Sequence, residues 1–418
     1  MRSLLEQLNL RTKMLLIAGL ALAMAAVPAT LVLQQAVTDW RQARTELAGL
    51  PPAMGLLQLM RSTQQHRGLA HGVLSGNAAG AAARDQAAQA LQAQWAPLEA
   101  ALTGMGNAAL DRRLAEHRRE LSALLDAVQK RQLPAAESFA RHTQLIEAQM
   151  GLVDDVAIGA GLVLHARADG YFLQDAVLRQ LPPVAEALAQ LRGSGMGLLS
   201  QREAGPAERA RLAALVARAR TQGAAVDKGL RLAMGAAPTA ALSGTLEAAN
   251  RALADGLAYA ESRLIQPAVL DEPPAQWWSR MTQLIDAQYQ LGDRAREALA
   301  TSLQAHADAV QRSLVVASAG LLLLAAACVG LVLAVGRQIT LAMQQALAMA
   351  EAVAAGDLCH RVQVRGRDES ARMLGALDAM ARQLSGTVAG VRDNAVQVAT
   401  ASAQIAQGNL DLSGRTEQ

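Results

Sequence analysis

The stretch LVVASAGLLLLAAACVGLVLAV, residues 314–335, decides the class of fold to which this chain belongs. No charged residue occurs between Arg312 and Arg337, and a helix of about 20 apolar residues is long enough to cross a lipid bilayer. A similar run, MLLIAGLALAMAAVPATLVL, occupies residues 14–33, and a spanning helix tolerates a proline such as its Pro28. We therefore predict two transmembrane helices.

Basic residues at the ends of the two runs predict their orientation, because cytoplasmic flanks carry an excess of Lys and Arg. They precede the first run and follow the second: Arg2, Arg11, Lys13, Arg337, Arg361, Arg365 and Arg367. We expect both termini in the cytoplasm and the region between the runs outside it. The alternative for the first run is a cleaved signal peptide, since AMAAVPA offers small residues at the right place.

The composition predicts an all-α protein. Hydrophobic residues make up 52% of the 418 positions, yet only two Phe, three Tyr and four Trp occur. Sheet cores depend on aromatic bulk, whereas Ala and Leu are strong helix formers. Basic and acidic residues number 39 and 36, so the chain lacks the concentrated basic face of a nucleic-acid binder. No cysteine lies between residues 34 and 312, so the external region contains no disulfide.

Glycine and proline clusters divide the external region into segments of roughly 20–40 residues, which is typical of antiparallel helices joined by short loops. We expect seven or eight helices, enough for two stacked four-helix bundles, with the last running from about Trp277 into the second span. The clusters are LPPAMG (50–55), GNAAGAA (76–82), TGMGNAA (103–109), LPAAE (133–137), LPPVAE (181–186), AGPAE (204–208), MGAAPTAALSG (234–244) and LDEPPAQ (270–276).

One motif, R-G-x-x-x-G-[VL]-L-S, occurs twice in the external region. It begins at Arg67 and again at Arg192, 125 residues later, which indicates an internal duplication. Around the first copy, steps of three and four residues mark one face of a packed helix. That face comprises Leu56, Met60, Thr63, Arg67, Ala70 and Leu74.

A guanidinium on a packed helix face must be matched by an anion with good hydrogen bonds. For Arg67 the anion is either a carboxylate of the protein, such as Asp154 or Asp155, or an external ligand held by the fork of donors. In the second copy the apolar row is Val184, Leu188, Leu191, Gly195 and Leu198, and Arg192 lies one residue off it. We predict Arg67 and Arg192 as contacts to a small, anionic ligand.

The sequence shows no pattern of catalytic residues and no cofactor motif. Nucleophile–base pairs, phosphate-binding loops and paired carboxylates are not recognisable in it. His66 and His71 are five residues apart, so they do not share a helix face as metal-binding histidines at i, i+4 do. We therefore expect a binding protein rather than an enzyme, with no metal and no cofactor.

Beyond the second span, residues 337–392 predict two short amphipathic helices joined by an extended connector. Gly356 follows the first helix as a C-terminal cap, and Asp368 is placed to cap the second. Two such helices cannot bury both apolar seams alone. A parallel homodimer is therefore expected.

The segments RQIT, ALAMAEAVAAGDL, VRGRDES and LGALDAMARQL between residues 337 and 384 resemble the HAMP module of bacterial receptors. Gly356, Asp357, Leu358, Asp368 and Glu369 stand where that family expects its signalling residues. The resemblance implies that Glu369 ties the second helix to the first. The family usually has a proline soon after the Ile-Thr pair, where this chain has alanine, which implies a straighter first helix.

The stretch IAQGNLDLSGRTEQ, residues 405–418, resembles the start of the methylation helix of methyl-accepting chemotaxis proteins. That resemblance implies Gln418 as the modified residue. Since the given chain stops before the family's hairpin tip, contacts to a chemotaxis kinase and its adaptor are expected only in a longer chain that supplies it. An alternative function is a non-signalling, membrane-anchored helical scaffold or receptor fragment.

A third stretch, QQHRGLAHGVLSGN at residues 64–77, resembles helical nitrate- and nitrite-sensing domains. Together these resemblances imply a multi-pass chemoreceptor of the bacterial inner membrane that senses a small molecule outside the cytoplasm. The predicted segments are a cytoplasmic tail (1–13), a first span (14–34), a periplasmic sensor domain (35–312), a second span (313–336), a HAMP module (337–392) and the start of the signalling helix (393–418).

Overall fold

The computed structural model describes residues 10–164, 167–236, 240–364 and 366–416, and these residues contain helices and no strand. The all-α prediction is therefore confirmed. The α-helices are α1 (Leu10–Leu74), α2 (Ala81–Ala93), α3 (Trp95–Thr103), α4 (Ala108–Gln129), α5 (Ala135–Gly159), α6 (Ala168–Gln174), α7 (Leu181–Gln201), α8 (Pro206–Ala236), α9 (Ala240–Ala260), α10 (Pro274–Ala354) and α11 (Glu369–Thr416). Short 3₁₀ turns lie at Ala78–Gly80 and Leu162–Leu164, and π-helical segments at Asp175–Gln180 and Glu261–Ile265.

The chain divides into two compact units, residues 35–315 and residues 1–34 with 316–418. In the described part of the first unit, eight helical rods follow one another. A π-helical segment joins α6 to α7, and α2 and α3 meet at Gln94 to form one bent rod. The expected seven or eight helices are therefore present. Their apolar residues form one connected core that extends along the chain from Leu50 to Leu303.

Two loop predictions are wrong. The LPPAMG cluster at residues 50–55 lies inside α1, which continues to Leu74. A proline inside a helix removes one hydrogen bond and crowds the preceding turn. Here the neighbouring side chains Leu50, Ala53 and Leu56 are buried in the core, and that burial holds the segment helical.

The second Leu-Pro-Pro cluster also lies within a continuous rod, because α7 follows the π-helical segment directly. Its prolines occupy the first turn of α7, where a missing N–H costs little. The loop predicted at 234–244 falls partly on residues 237–239, which lie outside the described residues.

The helix face predicted around Arg67 is buried as expected. Leu56, Thr63 and Ala70 are fully covered, and Arg67 itself is only 1% exposed. In the second copy, the row through Val184, Leu188 and Leu191 is equally buried, whereas Arg192, one position off the row, is half-buried. Helical spacing therefore identified the packed faces of both copies.

Among the residues that the structure describes, two helices are long and apolar enough to cross a membrane, within Leu15–Leu74 and Pro274–Ala354. Their apolar runs expose large side chains to the surroundings, such as Leu322 and Leu323, each 72% exposed. The second of these helices, α10, also contains Trp277, so the expected continuity between the last helix of the sensor region and the second apolar run is confirmed.

The connector between α10 and α11 has the predicted local structure at both ends. Gly356 adopts a left-handed backbone with φ of 87°, which favours glycine. At the other end, the Asp368 carboxylate accepts a hydrogen bond from the backbone N–H of Ala371 at 2.9 Å. Glu369 begins α11. Gln418, the predicted methylation residue, lies outside the described residues.

A pair of glycine substitutions in α7 tests the packing of the first unit. A Cβ atom at Gly195 would lie 2.5 Å from the buried Trp277 indole, whereas one at Gly197 would meet nothing closer than His71 Nε2 at 3.7 Å. We expect Gly195→Ala to lower the free energy of unfolding by about 1–3 kcal/mol through overpacking. Gly197→Ala should be neutral or stabilise by up to about 1 kcal/mol. Thermal melts of the detergent-purified chain measure both, and equal midpoints would contradict the close contact.

Candidate functional site

The central polar feature of the first unit is a buried ion pair between Arg67 and Glu186. Arg67 Nη1 donates to Glu186 Oε1 at 2.5 Å and Nη2 donates to Oε2 at 3.1 Å, and both side chains are 1% exposed. The carboxylate also accepts from the side-chain amides of Gln64 at 2.8 Å and Gln190 at 2.7 Å. Four donors therefore surround one planar, singly charged group, as a buried charge requires.

The rest of the Arg67 guanidinium contacts α5. Nη1 also donates to Thr143 Oγ1 at 2.9 Å, and the guanidinium lies over the Phe139 ring with 4.7 Å between its carbon and the ring centroid. An aromatic face is an attractive surface for a cation that has left water.

Arg192, in the second copy of the motif, has similar surroundings on α10. Its Nη1 donates to Thr282 Oγ1 at 3.0 Å, and its guanidinium lies 4.1 Å from the centroid of the Trp278 ring. No ion pair with a carboxylate forms at Arg192 within the described parts of the chain, and its buried Nε has no hydrogen-bond partner there. Burial, followed by the nearby charge of Arg67, lowers the pKa of Arg192 below its ordinary value.

The arginines of the two motif copies contact the same kinds of side chain on two different helices. Phe139 and Thr143 are four residues apart on α5, and Trp278 and Thr282 are four residues apart on α10. In each pair the threonine accepts a hydrogen bond from one arginine, and the aromatic ring lies against the guanidinium of the same arginine. The duplication inferred from the sequence therefore extends to the residues that contact the motif: the threonine is the same in both pairs, and the ring is Phe in one and Trp in the other.

The motif glycines make this arrangement compact. A Cβ at Gly68 would lie 3.2 Å from the Trp278 ring, and a Cβ at Gly193 would lie 2.7 Å from the Phe139 ring. Each aromatic ring therefore lies between the arginine of one copy and the glycine of the other. A larger residue at either glycine would push the ring off its arginine.

A cleft of about 350 Å³ opens beside Arg192. It is bounded by residues of α1, α7 and α10: Arg61, Gln64, Gln65, Leu69, Ala189, Arg192, Trp278, Thr282, Ile285, Asp286 and Tyr289. Seven of these eleven side chains are polar or charged, which suits a small polar ligand rather than an apolar one.

A second arginine, Arg61, lines the same cleft. Its guanidinium lies 4.1 Å from the centroid of the Tyr289 ring. It forms no ion pair with a carboxylate among the described residues. Tyr289 donates its hydroxyl to Gln64 Oε1, and burial raises the pKa of Tyr289 above its ordinary value. Asp286 is an exposed residue at the cleft, so two cations and one anion line this space.

Two buried histidines lie next to the Arg67 pair. His142 Nδ1 is 2.7 Å from the Ser138 carbonyl, and His142 Nε2 is 2.9 Å from His66 Nδ1. Burial is the main cause that lowers the pKa of His66 to about 3 and of His142 to about 4. Since the unfolded chain takes up these protons first, acidification below about 6.5 destabilises the fold. Both rings are therefore neutral structural groups near neutral pH.

The protein carboxylate at Arg67 is not one of the two proposed from the sequence. Asp155 pairs with Arg113, and Asp154 lies 3.5 Å from Arg179. Glu186 is the partner instead, and a signal for it existed, because it is the one charged residue of LPPVAEALAQL at residues 181–191. Of the two arginines predicted as ligand contacts, Arg192 is the one without a carboxylate. Arg61 and Tyr289 were not identified from the sequence.

The buried pair makes a quantitative prediction. Replacing Arg67 by Met strands the Glu186 carboxylate, and losing one partner of a buried pair costs about 3–5 kcal/mol. The double variant Arg67→Met with Glu186→Met removes both charges and should recover most of that loss. Chemical denaturation of the three detergent-purified chains gives the comparison. Equal destabilisation in the single and double variants would show that packing, not the unpaired charge, dominates.

Comparison with known proteins agrees with this architecture. The solved structure of the NasR transcription antiterminator superimposes with a TM-score of 0.54 over 88% of this chain and 99% of that chain, at 17% identity. That likeness shows the fold alone. Methyl-accepting chemotaxis protein IV of Escherichia coli (strain K12) is 40% identical over 68 residues, which are 16% of this chain and 13% of the relative.

The methyl-accepting chemotaxis aspartate transducer of Klebsiella aerogenes is also 40% identical, over 62 residues that make up 15% of this chain and 12% of the relative. The chain thus matches only about an eighth of the length of these two relatives. These similarities are those of a chemoreceptor-like sensor. The sequence model of a family described as nitrate and nitrite sensing matches residues 58–300, more than half of the chain. The chain therefore belongs to the nitrate and nitrite sensing family.

Proposed function

We propose that this protein is a transmembrane chemoreceptor that binds a small anion outside the cytoplasm and passes the signal along α10 into a cytoplasmic HAMP module. The observation that supports this proposal most directly concerns Arg192. This half-buried residue lines a cleft and forms no ion pair with a carboxylate among the described residues. A desolvated guanidinium requires an anion. Nitrate and nitrite are the first candidates, since the family model for residues 58–300 is described by them.

The route of the signal is supported by the continuity of α10. The helix that supplies Trp278, Thr282 and Tyr289 to the cleft continues to Ala354 and contains the second apolar run. A helix of this length transmits a small displacement at one end to the other, because its hydrogen-bonded backbone is stiff along its axis. Residues 337–392 would receive that displacement as a HAMP module.

A homodimer is supported by apolar side chains on α11. Leu374 and Ala381 are buried within the chain, but Leu384, Val388 and Val391 continue the same seam and are 41–64% exposed. Apolar residues at heptad spacing on an exposed helix are typical of a coiled-coil partner surface. A second copy of the chain would cover them.

The remaining proposals rest on the similarity to chemotaxis transducers. Gln418 would be the methylation residue, and a chemotaxis kinase with its adaptor would be the output partner in a chain that carries the signalling tip. The protein would lie in the bacterial inner membrane with residues 35–312 in the periplasm, in agreement with the basic residues that flank both apolar runs.

Site-directed labelling tests the topology. In a chain with Cys328→Ser and Cys359→Ser, we introduce Glu203→Cys between α7 and α8, or Thr400→Cys on α11; both positions are exposed. A membrane-impermeant maleimide should label position 203 in intact cells and position 400 only after permeabilisation. Labelling of both positions in intact cells, or of neither, would contradict the two-span topology.

Anion binding depends on Arg192 if the proposal is correct. Arg192→Ala should weaken nitrate or nitrite binding at least about 100-fold, because the cleft loses a partly desolvated charge and its donors. Arg192→Lys should also lose most of the affinity, since one ammonium cannot reproduce a two-pronged contact.

Arg218→Ala is the matched control, because Arg218 is exposed on α8 and does not line the cleft. Isothermal titration of each detergent-purified chain, at constant ionic strength set with chloride, measures the affinities. Wild-type affinity in Arg192→Ala would contradict the proposed site.

A further inference from the structure

The two copies of the motif differ at one position that faces their arginines. The offset of 125 residues that relates Arg67 to Arg192 also relates Gln65 to Gln190 and Arg61 to Glu186. Arg67 is therefore paired with Glu186 of the second copy. The residue of the first copy that corresponds to Glu186 is Arg61. The duplication is broken where one copy has a carboxylate and the other has a second cation.

The remaining surroundings of the two arginines match. Each donates to a threonine and lies over an aromatic ring. Gln190 donates to the carboxylate that pairs with Arg67, and its counterpart Gln65 lines the cleft at Arg192. Arg61 lines the cleft in which Arg192 lies. The cleft therefore has donors like those of the Arg67 site, but its position equivalent to Glu186 is occupied by Arg61, and Asp286 lies at its exposed side.

We propose that Glu186 is a built-in counterpart of the ligand. Its carboxylate satisfies Arg67 permanently, and a free planar oxyanion takes the equivalent place beside Arg192, where Arg61 supplies a further cation. This inference rests on the proposed function and adds to it the shape, charge and number of the ligands. Each chain binds one anion rather than two, although the arginine motif occurs twice.

The geometry around Glu186 specifies the class of ligand. The carboxylate presents two oxygens in one plane to Arg67 Nη1 and Nη2, and it accepts two further hydrogen bonds from Gln64 and Gln190. Nitrate, nitrite and formate present oxygens in the same planar arrangement. Sulfate is tetrahedral and cannot offer all its oxygens in that plane.

The charges at the cleft favour a monoanion. Arg61 and Arg192 contribute two positive charges and Asp286 contributes one negative charge, which leaves a single positive charge to be balanced. Asp286 forms no ion pair with either arginine among the described residues, yet its carboxylate acts on Arg192 through space. A dianion would therefore be repelled by Asp286 more strongly than a monoanion.

Exchanging the charge at position 61 tests the inference directly. Arg61→Glu places a carboxylate where Glu186 stands in the other copy, so Arg192 gains an internal partner. Nitrate affinity should fall at least about 100-fold, while the melting midpoint without nitrate should rise or stay level. Arg61→Gln is the matched control: it also removes the cation but supplies no anion, so it should weaken binding without raising the midpoint.

The measurement is a titration of the full chain in lipid nanodiscs with sodium nitrate, sodium formate and sodium sulfate at constant ionic strength. We expect one nitrate per chain, competition by formate, and no competition by sulfate. Wild-type affinity in Arg61→Glu, together with loss of binding in Arg192→Ala, would overturn this inference and leave the proposed function standing. Absence of nitrate, nitrite and formate binding to the wild-type chain would overturn both.

A second variant tests the same idea from the other copy. Glu186→Ala removes the internal carboxylate and leaves the Arg67 guanidinium without its partner. Nitrate or formate should then raise the melting midpoint more than in the wild-type chain and bind with a stoichiometry of two, whereas sulfate should do neither. A variant that melts at the same temperature in all three salts would show that the Arg67 site does not accept a free anion.

Discussion

The fold of the sensor region depends on one constraint: a guanidinium removed from water must face an anion. Arg67 is 1% exposed in the middle of a buried, mostly apolar helix face, and arginine does not escape such a site by losing its proton. Glu186 on α7 supplies the anion from the other half of the duplication. The pair therefore joins α1 to α7 and fixes their relative register, because a shift of one helical turn would break several hydrogen bonds at once.

The reciprocal placement of rings and glycines follows from the same constraint. The ring of Phe139 lies between Arg67 and Gly193, and the ring of Trp278 lies between Arg192 and Gly68. Neither ring could approach a backbone that carried a side chain at those glycines. The adjacent arginine and glycine of the motif thus contact two different rings, since the arginine lies over a ring from its own half of the duplication and the glycine receives a ring from the other half.

Composition identified the fold class and uncharged stretches identified the apolar runs, whereas the buried face around Arg67 followed from steps of three and four residues, which reflect helical geometry alone. It placed a loop at residues 50–55 where α1 continues, because the packing of Leu50, Ala53 and Leu56 outweighs the local effect of two prolines. The choice of Glu186 over Asp154 or Asp155 depended on helix pairing across more than a hundred residues, which local patterns do not specify.

The cleft is bounded by α1, α7 and α10, and α1 and α10 also contain the two apolar runs. Arg61 belongs to α1, Arg192 to α7 and Thr282 to α10. An anion bound between the two arginines would therefore join α1 to α7 as Glu186 already does, but reversibly and beside α10. A ligand shifts a conformational equilibrium only by its difference in affinity for the two states. Arg61 and Arg192 leave the cleft one positive charge in excess even with Asp286 beside them, so a bound anion would stabilise the arrangement in which both arginines line it. The arginine at position 61, where the other copy has Glu186, would thus turn a structural ion pair into a sensor.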